Sequence, residues 1–157
     1  ILLALKNAAT LGATNVDFRL GEIEDLPVTG NTVDLVISNC VLNLVPNKLR
    51  AFSEMYRILR PGGRFTVSDL MVEGDLPAEL AKAASVYAAC IGGAIGRERY
   101  LSLLREAGFQ HVEICEEREV AVPKEAIEGP ELEAAYRRFV KTGGALFSVT
   151  LTGLKPE

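Results

Sequence analysis

The chain has 157 residues, 48% apolar and 24% charged, and carries a net charge of −4 with 17 basic residues that form no stripe. That balance suits one globular domain with its own core, and it excludes a disordered chain and a nucleic-acid-binding surface. No apolar run nears the roughly 20 residues that span a bilayer, nothing at the start reads as a secretory leader, and three dispersed cysteines argue for free thiols in the cytoplasm over a disulfide framework.

Residues 1–12 read as the end of a helix, with Leu2, Leu5, Ala9 and Leu11 roughly on one side and Gly12 as the stop. Residues 15–20 (NVDFRL) alternate apolar and polar, as a strand does, and residues 22–27 form a loop. Residues 33–38 (VDLVIS) are a near-continuous apolar run, suited to a strand buried on both faces of a parallel sheet. The clearest helix is 47–60, with Leu49, Phe52, Met55, Tyr56 and Leu59 on one stripe. Pro61-Gly62-Gly63 breaks it, and residues 64–69 make the next strand.

Residues 77–95 are predicted as a helix of small residues, and 98–107 as another, closed by Gly108. A strand over 111–117, a polar-faced helix over 128–141 and a long strand over 145–154 complete the chain. The alternation predicts an α/β domain with a mostly parallel sheet. No repeat, low-complexity tract or linker divides it, so residues 1–157 are read as one domain.

Three segments together resemble the later motifs of class I S-adenosylmethionine-dependent methyltransferases. They are residues 21–27 (GEIEDLP), directly after a predicted strand, residues 33–44 (VDLVISNCVLNL), and the turn at 59–64 (LRPGGR). The resemblance implies a Rossmann-like sheet with an antiparallel carboxyl-terminal strand. It places Glu22 as acceptor for the cofactor's adenine amine, the Ile23 N–H on the adenine ring, and Asn39 in the turn beneath the methionine part.

Within that group the chain most resembles the arsenite methyltransferases. Residues 38–44 (SNCVLNL) place Cys40 just past a strand end, and residues 87–94 (YAACIGGA) place Cys90 in a run of small residues. Both match the family's arsenic-binding thiols by context, and soft trivalent arsenic favours thiolate ligands. Its lone pair can attack a sulfonium methyl directly, so no catalytic base is expected. The only histidine, His111, lies away from these motifs, and Cys115 has no counterpart in the family pattern.

The family's glycine-rich turn and its ribose-binding acid do not occur here. The Gly-Gly pairs begin at Gly62, Gly92 and Gly143, and none follows a first strand. The expected sheet is therefore incomplete, with its first strands absent. This chain alone is expected to bind S-adenosylmethionine weakly and to hide its open edge by self-association. Without the resemblance, Cys40 and Cys90 would read as small packing residues. Two other functions stay open: a methyltransferase for a small organic acceptor such as a quinone precursor, and a non-catalytic oligomeric remnant or thiol-based metalloid binder.

Overall fold

Five strands, one of them only two residues long, make up a mixed sheet. The computed structural model describes residues 1–83, 85–86 and 90–157. In chain order the elements are α1 (Leu2–Leu11), β1 (Val33–Asn39), α2 (Lys48–Ile58), β2 (Leu59–Glu73), α3 (Ala78–Lys82), β3 (Ile95–Gly96), α4 (Arg97–Glu106), β4 (Gln110–Val120), α5 (Pro130–Lys141) and β5 (Ala145–Leu154). β1 runs parallel to β2, whereas β5 is antiparallel to both β2 and β4. The Rossmann-like α/β class and the antiparallel last strand are therefore as expected from the sequence.

The stripe on α2 becomes the buried contact of the helix: Ala51, Phe52, Met55 and Ile58 are all sequestered. Asn47 caps its start, the side-chain Oδ1 accepting the Arg50 N–H at 3.1 Å. At its end Leu59 turns extended and leads straight into β2. Residues 60–63 then bulge out of the ladder, since Val33 pairs with Leu59 but Leu35 with Arg64. The Gly62 N–H donates to the Lys155 carbonyl, and the Lys155 N–H to that of Gly63, each at 2.9 Å. The proline-glycine turn thus stops the helix and also docks the tail.

α4 lies beside α2 over the same sheet face, burying Tyr100, Leu101, Leu103 and Leu104. Phe52 meets Tyr100 with ring centroids 5.1 Å apart, and Phe65 meets Phe109 at 4.6 Å. Gly108 ends the helical segment at φ +107, and a Cβ there would sit 2.9 Å from the Tyr56 ring. Only glycine meets both conditions. A second cluster, around Leu80, Ile91, Val122 and Phe139, fills the far end of the sheet beneath α3 and α5.

On the opposite face that cluster covers only one end, where Leu70, Val72 and Leu146 pack into it, and the β1 end is open. Thr66, Ser68 and Leu70 of β2 and Ser148, Thr150 and Thr152 of β5 are half-exposed, while Leu35 and Ile37 of β1 are 48% and 72% exposed. β1 pairs only with β2 among the described residues. α1 has the expected extent and a left-handed Gly12 cap, yet none of its residues is buried.

Two expected elements differ. Residues 16–20 form no strand. Their alternation suits a ladder, but no neighbouring strand offers them hydrogen bonds, and a lone strand is not stable. Residues 77–95 are not one helix: α3 ends at Lys82, where Ala83 turns extended, and Cys90 is left-handed at φ +62. Small residues bury little area per turn, and a Gly-Gly pair weakens a helix further. Residues 84 and 87–89 of that stretch lie outside the described residues.

Candidate functional site

The carboxyl end of β1 sets the position of the first thiol. Cys40 follows the strand directly, its N–H donating to the Ser68 carbonyl of β2 at 2.9 Å. Its backbone then turns left-handed, at φ +55, so that Leu42–Leu44 can form a 3-10 turn against α2. Cys90, 50 residues later, lies against it, and its Sγ–H donates to the Cys40 carbonyl at 2.9 Å. Left-handed backbone costs a non-glycine residue roughly 1–2 kcal/mol. Of the four described non-glycine residues at positive φ, two are these cysteines. Cys115 is exposed on β4, away from both.

The loop that presents Cys90 is held down by a close backbone approach. A Cβ on Gly93 would lie 1.7 Å from the Asn43 carbonyl oxygen, so only glycine lets residues 91–94 settle there. The Asn43 side chain is buried and donates through Nδ2 to the Leu70 carbonyl at 2.7 Å. Lys48 Nζ donates to the Asn43 and Val45 carbonyls at 3.0 and 3.4 Å.

Asp69 completes the floor. It is buried on the inward face of β2, where its Oδ2 accepts the Tyr100 hydroxyl at 2.7 Å. Burial pushes this carboxyl up to about 6, against the opposing pull of the Tyr100 hydrogen bond and the Lys48 ammonium. Tyr100 rises well above its ordinary value, through burial and then the adjacent carboxylate. Burial also raises the Cys40 thiol, helped by Cys90 and Asp69 beside it. Burial lowers Lys48 despite Asp69. Two buried oxygens here, Asp69 Oδ1 and Asn43 Oδ1, have no hydrogen-bond partner.

On the far side of the same strand end opens a cleft of about 300 Å³, lined by Ile23, Leu26, Val36, Ser38, Asn39 and Leu42 among others. Its apolar walls and strand-end position fit a flat heteroaromatic ring. The structure therefore brings Ile23 and Asn39 together. Glu22 is exposed and does not line the cleft; its only backbone pairing is a short bridge to Asp25.

The loop is fastened to α2 by contacts that sequence reasoning missed. Glu54 accepts the Leu26 N–H at 2.8 Å, and Glu24 accepts the Asn47 N–H at 2.6 Å. Arg57 donates to the carbonyls of Val28 and Leu26, and its hydrogen bond to Glu54 holds that carboxyl below its usual range. Nothing in local sequence links these pairs. Asp69 did carry a signal: the alternation Phe65, Val67, Asp69, Met71 puts an acid on the buried face. His111 is exposed at the start of β4, away from the thiols, and Tyr56 packs edge-on against Phe109.

A family model for a methyltransferase domain matches residues 1–108. The arsenite methyltransferase of Halobacterium salinarum is 39% identical over 153 residues, which are 98% of this chain and 37% of that protein. The human arsenite methyltransferase is 36% identical over 90% of this chain and 38% of its own length. Among solved structures, an arsenic(III) S-adenosylmethionine methyltransferase from Chlamydomonas reinhardtii aligns with TM-score 0.70 and 33% identity, covering 87% of this chain and 43% of that one. The YcgJ protein of Bacillus subtilis shares the fold at TM-score 0.71 and 16% identity, over 100% of this chain and 78% of its own. The chain spans about two fifths of the length of the curated relatives it matches.

Proposed function

Because the chain belongs to the methyltransferase-domain family, we propose that its paired cysteines hold trivalent arsenic as the acceptor in an S-adenosylmethionine-dependent methyl transfer. One observation carries this reading: Cys40 and Cys90, remote in sequence, meet at a strand end on strained backbone. Similarity to arsenite methyltransferases along nearly the whole chain supports it.

Each thiol displaces one hydroxide from neutral arsenite. An As–S bond forms, an As–O bond breaks, and the thiol proton leaves with the hydroxide as water. A raised Cys40 thiol is therefore no obstacle, since no free thiolate has to accumulate. When bound, S-adenosylmethionine supplies a sulfonium methyl group that the arsenic lone pair takes without a base. Ile23 would hold its adenine in the cleft, with Glu22 reaching in from the rim, and Asn39 would lie beneath its methionine part. Asn39 and Cys40 are adjacent in sequence, so one turn serves both ligands, and proximity supplies most of the rate.

One equivalent of a trivalent aryl arsenical should protect two thiols per chain. Cys40→Ser or Cys90→Ser should each abolish tight binding, and Cys115→Ser should not. Intact-protein mass with a thiol count reads the result; three freely titrating thiols after treatment would overturn the assignment. Cofactor binding by this chain should be weak, about millimolar or −4 kcal/mol, because neither the glycine-rich turn nor the ribose-binding acid occurs in it and the adenine loop and the Asn39 turn must hold the cofactor alone. Low-micromolar binding by calorimetry would contradict that.

We place the chain in the cytoplasm, where its three thiols stay reduced, acting as one domain without nucleic-acid or membrane partners. No described helix is long and apolar enough to cross a membrane. It self-associates. Its accessible surface is 9527 Å², whereas a compact monomer of 17.0 kDa exposes about 7,700 Å². The difference, roughly 1,800 Å² per chain, is in the range of a stable interface. A helix with no buried residue and the open β1 end of the sheet are each what the other lacks, and a second copy brings both. A monodisperse monomer by light scattering at micromolar concentration would rule this out.

A further inference from the structure

The floor of the thiol site holds two acceptor atoms that nothing in the protein satisfies. Asp69 and Asn43 are each about 1% exposed, and one oxygen of each, Oδ1, is buried without a donor. A buried polar atom left unpaired costs roughly 1–3 kcal/mol, more when charged, so two beside one site call for a function. Tyr100 of α4 donates to Oδ2, Lys48 of α2 places two of its three N–H donors on the carbonyls of Asn43 and Val45, and the Cys40 N–H donates to the Asp69 carboxylate. The Cys40 thiol lies beside the same carboxylate. Asn43 lies beneath Gly93, three residues beyond Cys90. The donor they lack is thus best delivered from the thiol side.

Trivalent arsenic bound by two thiols keeps a third substituent. Starting from arsenite, that substituent is a hydroxyl group, a hydrogen-bond donor. Resting on the thiol reading above, we propose that Asp69 and Asn43 accept a hydrogen bond from the hydroxyl left on a doubly thiol-bound arsenic, which makes the site selective for inorganic arsenite over arsenicals whose third substituent is carbon. Neither residue touches the arsenic or gives up a proton. They determine specificity by the third substituent alone.

Two ligands separate this from a merely structural role. Arsenite retains a hydroxyl after two thiols have bound, whereas phenylarsine oxide retains only its ring. Each is titrated into the wild-type chain, Asp69→Asn and Asn43→Ser, with thiol protection and intact mass as readouts. In Asp69→Asn the amide oxygen keeps the Tyr100 bond, so an N–H₂ donor replaces the free acceptor. Arsenite binding should weaken about 10-fold in each variant, with phenylarsine oxide binding within twofold of wild type. Equal losses for both ligands, or no loss for arsenite, would overturn the proposal. Retained phenylarsine oxide binding shows that fold and thiols are intact. If Asp69→Asn loses both ligands, Asn43→Ser decides by the same criterion. If the wild-type chain protects no thiol with either ligand, the thiol reading itself fails, and this proposal with it.

Discussion

On one face of the sheet, Phe65, Val67 and Leu151 vanish beneath α2 and α4; on the other, Leu35 and Ile37 stand open among half-exposed serines and threonines. The same strands make both faces. α1 extends the contrast, since it carries four leucines and yet none of its residues is buried. Periodicity specifies an element and the side it would bury. Whether burial follows depends on a partner, and within the described residues the β1 end of the second face has none.

Substitutions on the two sides should divide accordingly. Phe52→Ala, in the closed core, should cost about 3–5 kcal/mol by denaturant unfolding, while Leu3→Ala, at a concentration where single chains prevail, should change it by less than about 0.5 kcal/mol. A comparable loss at Leu3 under those conditions would mean that α1 packs within its own chain.

Asp69 tests the closed face by pH. Its carboxyl rises from 3.8 to about 6 on folding, so the folded chain favours the protonated form. That contribution is complete below about pH 4 and is lost as pH rises through 6, amounting to about 3 kcal/mol. Asp69→Asn stays neutral throughout, so its stability relative to wild type should climb between pH 4 and pH 8. A flat difference across that window would show that the carboxyl is not held in a desolvated site.

Smaller effects belong to the helix ends and the open side. Asn47→Ala removes the α2 cap and should cost about 1 kcal/mol, while the Glu24 bond to the backbone N–H of residue 47 is kept. Leu3→Lys should leave stability within about 0.5 kcal/mol and yet shift the light-scattering mass to that of a single chain. An unchanged mass would move the self-association surface away from α1.

Legibility in the sequence follows the same division. α2, α4 and β5 were readable because their patterns coincide with contacts that form; the predicted 145–154 strand matches β5 end to end. Residues 15–20 carried an equally good strand pattern and formed none, since pattern says nothing of a missing neighbour. The small-residue stretch misled for another reason. Alanine and glycine fit a helix, a turn or a close approach, and here Gly93 had to make room for Asn43. The two cysteines could be picked by context, but that Cys90 would reach Cys40 is a tertiary fact. The Asp69–Tyr100 pair needed α4 placed over β2, and no local spacing announces it.

The strand order has a consequence for how the molecule is made. β5 is last in chain order yet sits between β2 and β4, and its rungs join residues about 72 to 90 positions apart, as in Glu73 with Ala145 and Arg64 with Leu154. Until Ala145 and its successors leave the ribosome, β4 has no sheet to join and β2 keeps an open edge. Completion of this sheet therefore waits for β5, through contacts of high sequence separation, the class that forms slowly and leaves sticky intermediates exposed. Lys155 just after β5 then fastens to the α2 end through the Tyr56 and Leu59 carbonyls at 2.9 Å each. A nascent chain stalled before residue 145 should be protease-sensitive throughout, and release of the next dozen residues should protect it in a single step.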